Sequence, residues 1–296
     1  MQNAVINVNG EILTPDRAKV SVFDRSYMYG DSLYEVVRTY GENFFLLDDH
    51  LKRLEKSAAL CHMVLGQTAE MYKREIHKTL KAFRAQKGFE KTDVYMRLIV
   101  SRGLGKIGFG LSNLTTATQF TVIVQPVETP TAEQFKRGFH FQISARLRND
   151  PRALDPAMKS GNYLNSLLAY LEAAQEEYDD ALMCNADGHL TEGTTFNIAY
   201  VRRGIIATPP LDIGILEGVT RRVMIKVAGD LRIPVREVRF PKERLFGADE
   251  VFMTSSLKEV FPVTKIDRKP IADGTAGPIT LKLAAAYKKE LARILG

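Results

Sequence analysis

Hydrophobic and polar positions change period several times along this chain, and each change marks a candidate element. The runs Val5-Ile6-Asn7-Val8 and Ser32-Leu33-Tyr34-Glu35-Val36-Val37-Arg38 read as strands, closed by turn signals at Asn9-Gly10 and Gly41. Two helical periods follow. One carries Leu51, Leu54, Ala58 and Leu60 with Asp48 or Asp49 as its cap; the other carries Met71, Ile76, Leu80 and Phe83. Strands return over residues 95–100 and 120–125. Pro126 and Pro130 then fix two φ angles and remove two ladder donors, which marks a linker.

Beyond the linker, residues 139–144 and 181–184 read as strands, with a turn at Asn185-Ala186-Asp187-Gly188. Leu164, Leu167, Leu168 and Leu171 predict a helix over 158–178, and Val219, Val223 and Val227 predict another from 218 to 231. An amphipathic helix over 279–295 ends the pattern. Mixed elements without a regular βαβ period or an internal repeat predict an α+β (mixed α/β) fold. At 296 residues the chain exceeds what one core usually fills, so two domains are expected: 1–125, a linker at 126–130, and a larger 131–296.

Composition narrows the class. Hydrophobic residues at 45% and charged residues at 26%, without low-complexity runs, indicate a globular protein. The net charge of +6 is dispersed, with only the short pairs Arg202-Arg203 and Arg221-Arg222, which argues against nucleic acid. Cys61 and Cys184 lie far apart, as suits a reducing compartment. The first residues lack a basic-then-apolar leader and no segment reaches the length of a membrane span, so a cytoplasmic location and no membrane partner are expected. The five histidines show no ligand spacing, and no metal is expected. Gly103, Gly105, Gly108 and Gly110 lack the Lys-Ser or Lys-Thr and the helix that a phosphate loop needs.

Three segments carry candidate chemistry: Met158-Lys159-Ser160-Gly161-Asn162-Tyr163-Leu164, Thr191-Glu192-Gly193-Thr194-Thr195-Phe196-Asn197 and Glu217-Gly218-Val219-Thr220-Arg221. Lysine is the amine most readily made neutral by desolvation, as imine formation with an aldehyde cofactor requires. Within a helix over 158–178, Lys159 and Tyr163 share a face. Glu192 is the candidate carboxylate for a protonated ring nitrogen, and Gly218-Val219-Thr220 at a helix start aims N–H groups at a phosphate. Each residue alone has a plain reading, as a solvated lysine, a strand-end carboxylate or a helix-end acid; only together do they indicate one cofactor.

The order and spacing of these segments resemble fold type IV pyridoxal-phosphate enzymes, the class IV aminotransferases: branched-chain aminotransferases, D-amino acid transaminases and aminodeoxychorismate lyases. The resemblance runs from Phe23-Asp24-Arg25 and Tyr29-Gly30-Asp31 to Thr254-Ser255-Ser256 and Pro262-Val263. It implies pyridoxal 5'-phosphate, with Lys159 carrying the Schiff base, Tyr163 on the ring hydroxyl and Glu192 on the ring nitrogen. Arg53, Val219, Thr220 and Ser256 would bind the phosphate. It also implies a site between the domains, completed by the second subunit of a homodimer, with Tyr29 and the mobile 103–109 substrate loop crossing over.

Substrate signals are mixed. Tyr95-Met96-Arg97 is similar to the Tyr-x-Arg pattern of branched-chain aminotransferases, which favours L-amino acids with 2-oxoglutarate and glutamate as the partner pair. Tyr34-Glu35-Val36-Val37-Arg38 looks more like D-amino acid transaminases, with Val36 where many branched-chain enzymes carry glycine. Ser101-Arg102-Gly103 resembles both the D-enzymes and the lyases, and Arg102 reads either as a bidentate clamp for a carboxylate or as a strand-end surface residue. The lyase ranks third, because Val36 stands where that subfamily often has a catalytic threonine. Binding of the cofactor without turnover is disfavoured by the joint presence of Lys159, Tyr163 and Glu192.

Overall fold

Alternation in the strand Val94–Ser101 sets the first sheet. Val94, Met96, Leu98 and Val100 are completely buried, while Tyr95, Arg97 and Ile99 between them keep partial exposure. This is the pattern of a sheet covered by helices on one face. The computed structural model describes residues 3–296 and divides into two units. The first holds the chain up to Glu128, with Met158–Asn162 and Leu295; the second holds Thr129–Ala157 and Tyr163–Ile294, with Gly296.

In the first unit, β1 (Val5–Val8), β2 (Glu11–Leu13), β3 (Ser32–Tyr40), β4 (Asn43–Phe44), β5 (Val94–Ser101) and β6 (Gln119–Pro126) form an antiparallel sheet in the order β2-β1-β6-β5-β3-β4. A short helix, α1 (Arg25–Tyr29), precedes β3. Helices α2 (Leu47–Leu60) and α3 (Ala69–Arg84) seal the apolar face with Leu51, Leu54, Tyr72, Ile76, Leu80 and Phe83. The cap expected at Asp48 or Asp49 is instead Leu46, in the left-handed region; both acids lie inside the first turn, where they complement the helix dipole.

The segment expected to start a helix at 158 does otherwise. Lys159 O accepts from Tyr34 N at 3.0 Å, Gly161 N donates to Ser32 O at 2.7 Å, and Lys159 N donates to Ser57 Oγ of α2 at 3.2 Å. These residues are therefore an extended edge on β3, and Met158 packs against the first core. Their backbone bonds place them in the first unit, whereas the sequence pattern grouped the lysine with the second domain. The segment packs closely at Gly161, where an added Cβ would force Ser32 Oγ to turn away.

The second unit carries α4 (Ala132–Arg137), β7 (Phe139–Leu147), α5 (Leu164–Gln175), β8 (Asp180–Cys184), β9 (Leu190–Gly193), β10 (Asn197–Arg202), β11 (Ile205–Thr208), α6 (Val219–Asp230), β12 (Val235–Glu237), β13 (Glu250–Ser255), β14 (Glu259–Ile266), β15 (Lys269–Pro270) and α7 (Pro278–Leu295). Its mixed sheet runs β12-β11-β10-β13-β14-β7-β8-β9, with β15 on β14. Strand β7 is parallel to β14 and β8, and the phenylalanines 261, 139, 141 and 196 stack in series at centroid distances of 4.3, 5.6 and 4.7 Å. Strands β10, β13 and β14 are buried on both faces, so no alternation announces them. The leucine period of α5 marks the helix but not its inner face. Ala169 and Ala173 pack inward, and Leu164, Leu167 and Leu171 are 65%, 47% and 45% exposed. Among the described residues, no helix is long and apolar enough to cross a membrane.

A charged cluster fastens α2 to the sheet. Glu35 alternates onto the buried face of β3, where Arg53 donates Nε to Oε1 at 2.8 Å and Nη2 to Oε2 at 2.6 Å, and His50 Nδ1 lies 2.8 Å from Oε2. Burial alone would raise the Glu35 pKa, but Arg53 and His50 bring it down to about 2; burial pushes His50 below its usual value. Both shifts favour folding at neutral pH. The His50 contribution fades as pH falls below 6.5, and the Glu35 contribution fades from 4.5 down through about 2. Glu35→Gln is expected to cost about 3 kcal/mol at pH 7, as for one partner lost from a buried pair. In urea unfolding the difference between wild type and E35Q shrinks as pH falls through that lower window.

Candidate active site

The amine sits where the extended segment crosses the end of β3. Lys159 is buried, and its Nζ donates to Tyr34 Oη at 3.2 Å while lying 4.2 Å from that ring's centroid. The guanidinium of Arg97 lies 4.0 Å from the same centroid. Tyr34 and Arg97 share the sheet face opposite the apolar core, because the β3–β5 register pairs Tyr34 with Ile99 and Val36 with Arg97. The same alternation brings Tyr95 to this face. Arg97 Nε is buried without a hydrogen-bond partner. On the other face, Glu35 holds two of the Arg53 nitrogens and so fixes the plane of that guanidinium.

The carboxylate belongs to the second unit. Glu192 on β9 is buried; its Oε2 accepts from Asn197 Nδ2 at 3.0 Å and Leu216 N at 3.2 Å, and its Oε1 accepts from Arg148 Nη2 at 2.7 Å. Helix α6 begins at Val219 behind an N-cap glycine that offers no side-chain hydrogen bond. Thr220 Oγ1, in the first turn, is buried and without a partner. An orphaned hydroxyl beside the first N–H groups of a twelve-residue helix suits an anion. Gly218 has an ordinary φ of −68°; it is needed because a Cβ there would strike Asn197 Oδ1 and dislodge the side chain that holds Glu192 and Leu216 O. Ser256 lies in the turn between β13 and β14, half-buried.

Tyr163 is the N-cap of α5, so the helical face it was expected to share with Lys159 does not exist. Tyr29 Oη accepts from Gly108 N at 2.9 Å and its ring meets Phe109 edge-on, which ties α1 to the 103–109 loop. Arg102 does not reach into the open. Its Nε donates to Asp31 Oδ2 at 2.7 Å, Nη1 to His62 O at 2.9 Å and Nη2 to Cys61 O at 2.8 Å. Arg25 donates to the same Asp31 oxygen at 2.8 Å and to Gly108 O at 3.1 Å. Arg102 thus ties Asp31 to the turn that follows α2, and Arg25 ties the same Asp31 to the loop. Sequence reasoning missed Asn197 as the Glu192 partner, although it closes the same motif, and missed Arg148 and the Glu35–His50 pair, which no local pattern marks.

A family model for amino-transferase class IV matches residues 32–266. The chain belongs to the class IV aminotransferases. The branched-chain-amino-acid aminotransferase of Escherichia coli is 30% identical over 287 residues, covering 94% of this chain and 90% of the relative. A D-alanine aminotransferase of Listeria monocytogenes is 33% identical, covering 98% and 96%. A crystal structure of the Thermoproteus uzoniensis branched-chain aminotransferase with norvaline aligns with a TM-score of 0.87 at 32% identity, covering 97% and 94%. The holo-form enzyme of Thermobaculum terrenum aligns at 0.85 and 29%, covering 98% and 95%. This aminotransferase depends on pyridoxal 5'-phosphate and acts on amino acids and 2-oxo acids.

Each unit carries groups of the kind that cofactor needs: a buried amine in the first, and in the second a buried carboxylate and an orphaned hydroxyl at a helix start. Gly218→Ala should displace Asn197 and weaken cofactor binding about tenfold, roughly the 1.4 kcal/mol of one buried hydrogen bond. Equilibrium dialysis of the cofactor against the variant measures this directly, and unchanged affinity would show that Asn197 does not need that glycine.

Proposed function

We propose that the chain is a branched-chain L-amino acid aminotransferase using 2-oxoglutarate and glutamate as the partner pair. The observation that carries this reading is the face formed by Tyr34, Val36, Tyr95 and Arg97. Apolar and aromatic surface on that face suits a branched side chain. One cation, with a buried and unpartnered Nε, suits the side-chain carboxylate of glutamate. The D-amino acid reading has the Listeria relative in its favour, but it calls on Arg102 as a carboxylate clamp, and that guanidinium is committed at Nε, Nη1 and Nη2.

In this reading Lys159 would hold the cofactor covalently and, once substrate has displaced its amine, would be the base that removes and returns the substrate Cα proton. Glu192 keeps the ring nitrogen protonated, and Tyr163 contacts the ring hydroxyl. Arg53, Val219, Thr220 and Ser256 hold the phosphate. When bound, the cofactor supplies the aldehyde and the electron sink. Tyr34 holds the lysine amine by its hydroxyl and fills the floor beside it. Tyr29 acts on the substrate through the loop it anchors, and Arg102 through Asp31, which it shares with the loop-bound Arg25.

The working form is a cytoplasmic homodimer. In support, Phe23, Tyr27, Ile107 and Phe109 are exposed large hydrophobics on neighbouring segments, joined by bonds from Gly105 N to Phe23 O and Arg25 N to Gly103 O. Exposed apolar groups gathered in this way mark an association surface. A stable, active monomer in sedimentation would refute the dimer.

Two kinetic outcomes test the chemistry. Arg97→Leu is expected to lower kcat/KM for glutamate about 30-fold, near 2 kcal/mol for a lost charged hydrogen bond, and to leave leucine within about threefold. Half-reaction spectra with D-alanine should show no bleaching. Bleaching by D-alanine and not by L-leucine would transfer the assignment to the D-enzymes.

A further inference from the structure

No motif marks Arg148, yet it links the Glu192 carboxylate to the start of α5. It follows the end of β7, where its own N donates to Cys184 O at 2.8 Å. Its Nη2 donates to Glu192 Oε1 at 2.7 Å and its Nη1 to Ser166 Oγ at 2.9 Å, so one planar fork spans strand β9 and the first turn of α5. Both members of the ion pair are nearly dry, with side chains 11% and 4% exposed. The third nitrogen, Nε, is buried without a hydrogen-bond partner. Leaving that donor unsatisfied costs stability, so the favourable work of this guanidinium lies in the bonds its other nitrogens make.

Building on the reading of Glu192 as the ring-nitrogen carboxylate, we propose that Arg148 is a positioning residue for transamination. The terminal torsion of a glutamate is soft; Asn197 Nδ2 and Leu216 N hold its Oε2, and Arg148 Nη2 holds its Oε1. Through Ser166 it also ties the first turn of α5, whose N-cap is Tyr163, to the same carboxylate. A neighbouring bond from Asn165 Nδ2 to Leu147 O, 3.0 Å, stiffens this junction. A lysine at 148 would offer a point charge in place of the fork and reproduce only part of the arrangement.

The test uses holoenzyme loaded with cofactor labelled with 15N at the ring nitrogen. The ring 15N shift is read together with kcat and KM for L-leucine in wild type, R148Q, R148K and E192Q. In R148Q the shift is expected to move toward the unprotonated value, and kcat to fall at least about tenfold with KM within about threefold. R148K should recover part of both. An R148Q signal at the wild-type position with kcat unchanged overturns the proposal; if R148Q does not fold, the same result for R148K overturns it. E192Q without a shift would overturn the reading of Glu192 underneath, whereas E192Q shifted and R148Q unshifted rejects Arg148 alone.

Discussion

Main-chain pairing between the 159–161 segment and the edge of β3 is the constraint on which the amine depends. Two backbone bonds and one to Ser57 fix Lys159 before any side-chain contact is made. Strand geometry then determines the rest. With the backbone of Tyr34 bonded to Lys159, the phenol of Tyr34 falls beside Nζ, and period-two alternation sends Arg97 to the same face and Glu35 to the other. A helix at this place, as the leucine pattern suggested, would have left the amine free to swing with its own turn. An extended edge holds it as firmly as the sheet itself.

The opposite face of β3 does different work with the same backbone. Glu35, His50 and Arg53 form a dry charged cluster that fastens α2 and fixes the plane of the arginine assigned to the phosphate. Ionic groups in such a place are poor sources of net stability compared with packed hydrocarbon, so orientation is the physical reason to keep them. Glu192 in the second unit repeats the design. A buried carboxylate has both oxygens engaged by a backbone N–H, an amide and a guanidinium, leaving its direction little freedom.

Much of this was legible in the chain. The strand over 95–100 and the helices over 47–60, 69–84 and 219–230 follow from their periods, since each has one more deeply buried face, while the strands over 5–8 and 32–38, covered on both sides, were marked by apolar runs closed by turn signals. The doubly buried strands β10, β13 and β14 have no period to read, because alternation disappears when both faces are covered. Lys159, Glu192 and Thr220 stood out as candidates because each lies in a short segment whose order and spacing resemble the family's. Their partners did not: Tyr34 stands 125 residues from Lys159 and Arg148 stands 44 from Glu192, and a single sequence carries no signal of such pairings. Arg102 is the converse case: its motif left a substrate clamp and a plain strand-end residue both open, and only the folded positions of Asp31, Cys61 and His62 show which groups its Nε, Nη1 and Nη2 bond.

The central claim is that Lys159 carries the cofactor, and borohydride reduction of the cofactor-loaded protein followed by peptide mass mapping tests it most directly. Reduction should leave the phosphopyridoxyl group on the peptide containing Lys159. A useful rival is Lys258, an amine 4.4 Å from the centroid of the Phe139 ring whose pKa is pushed down by burial. Label on Lys258, or no label retained on any lysine, would contradict the assignment.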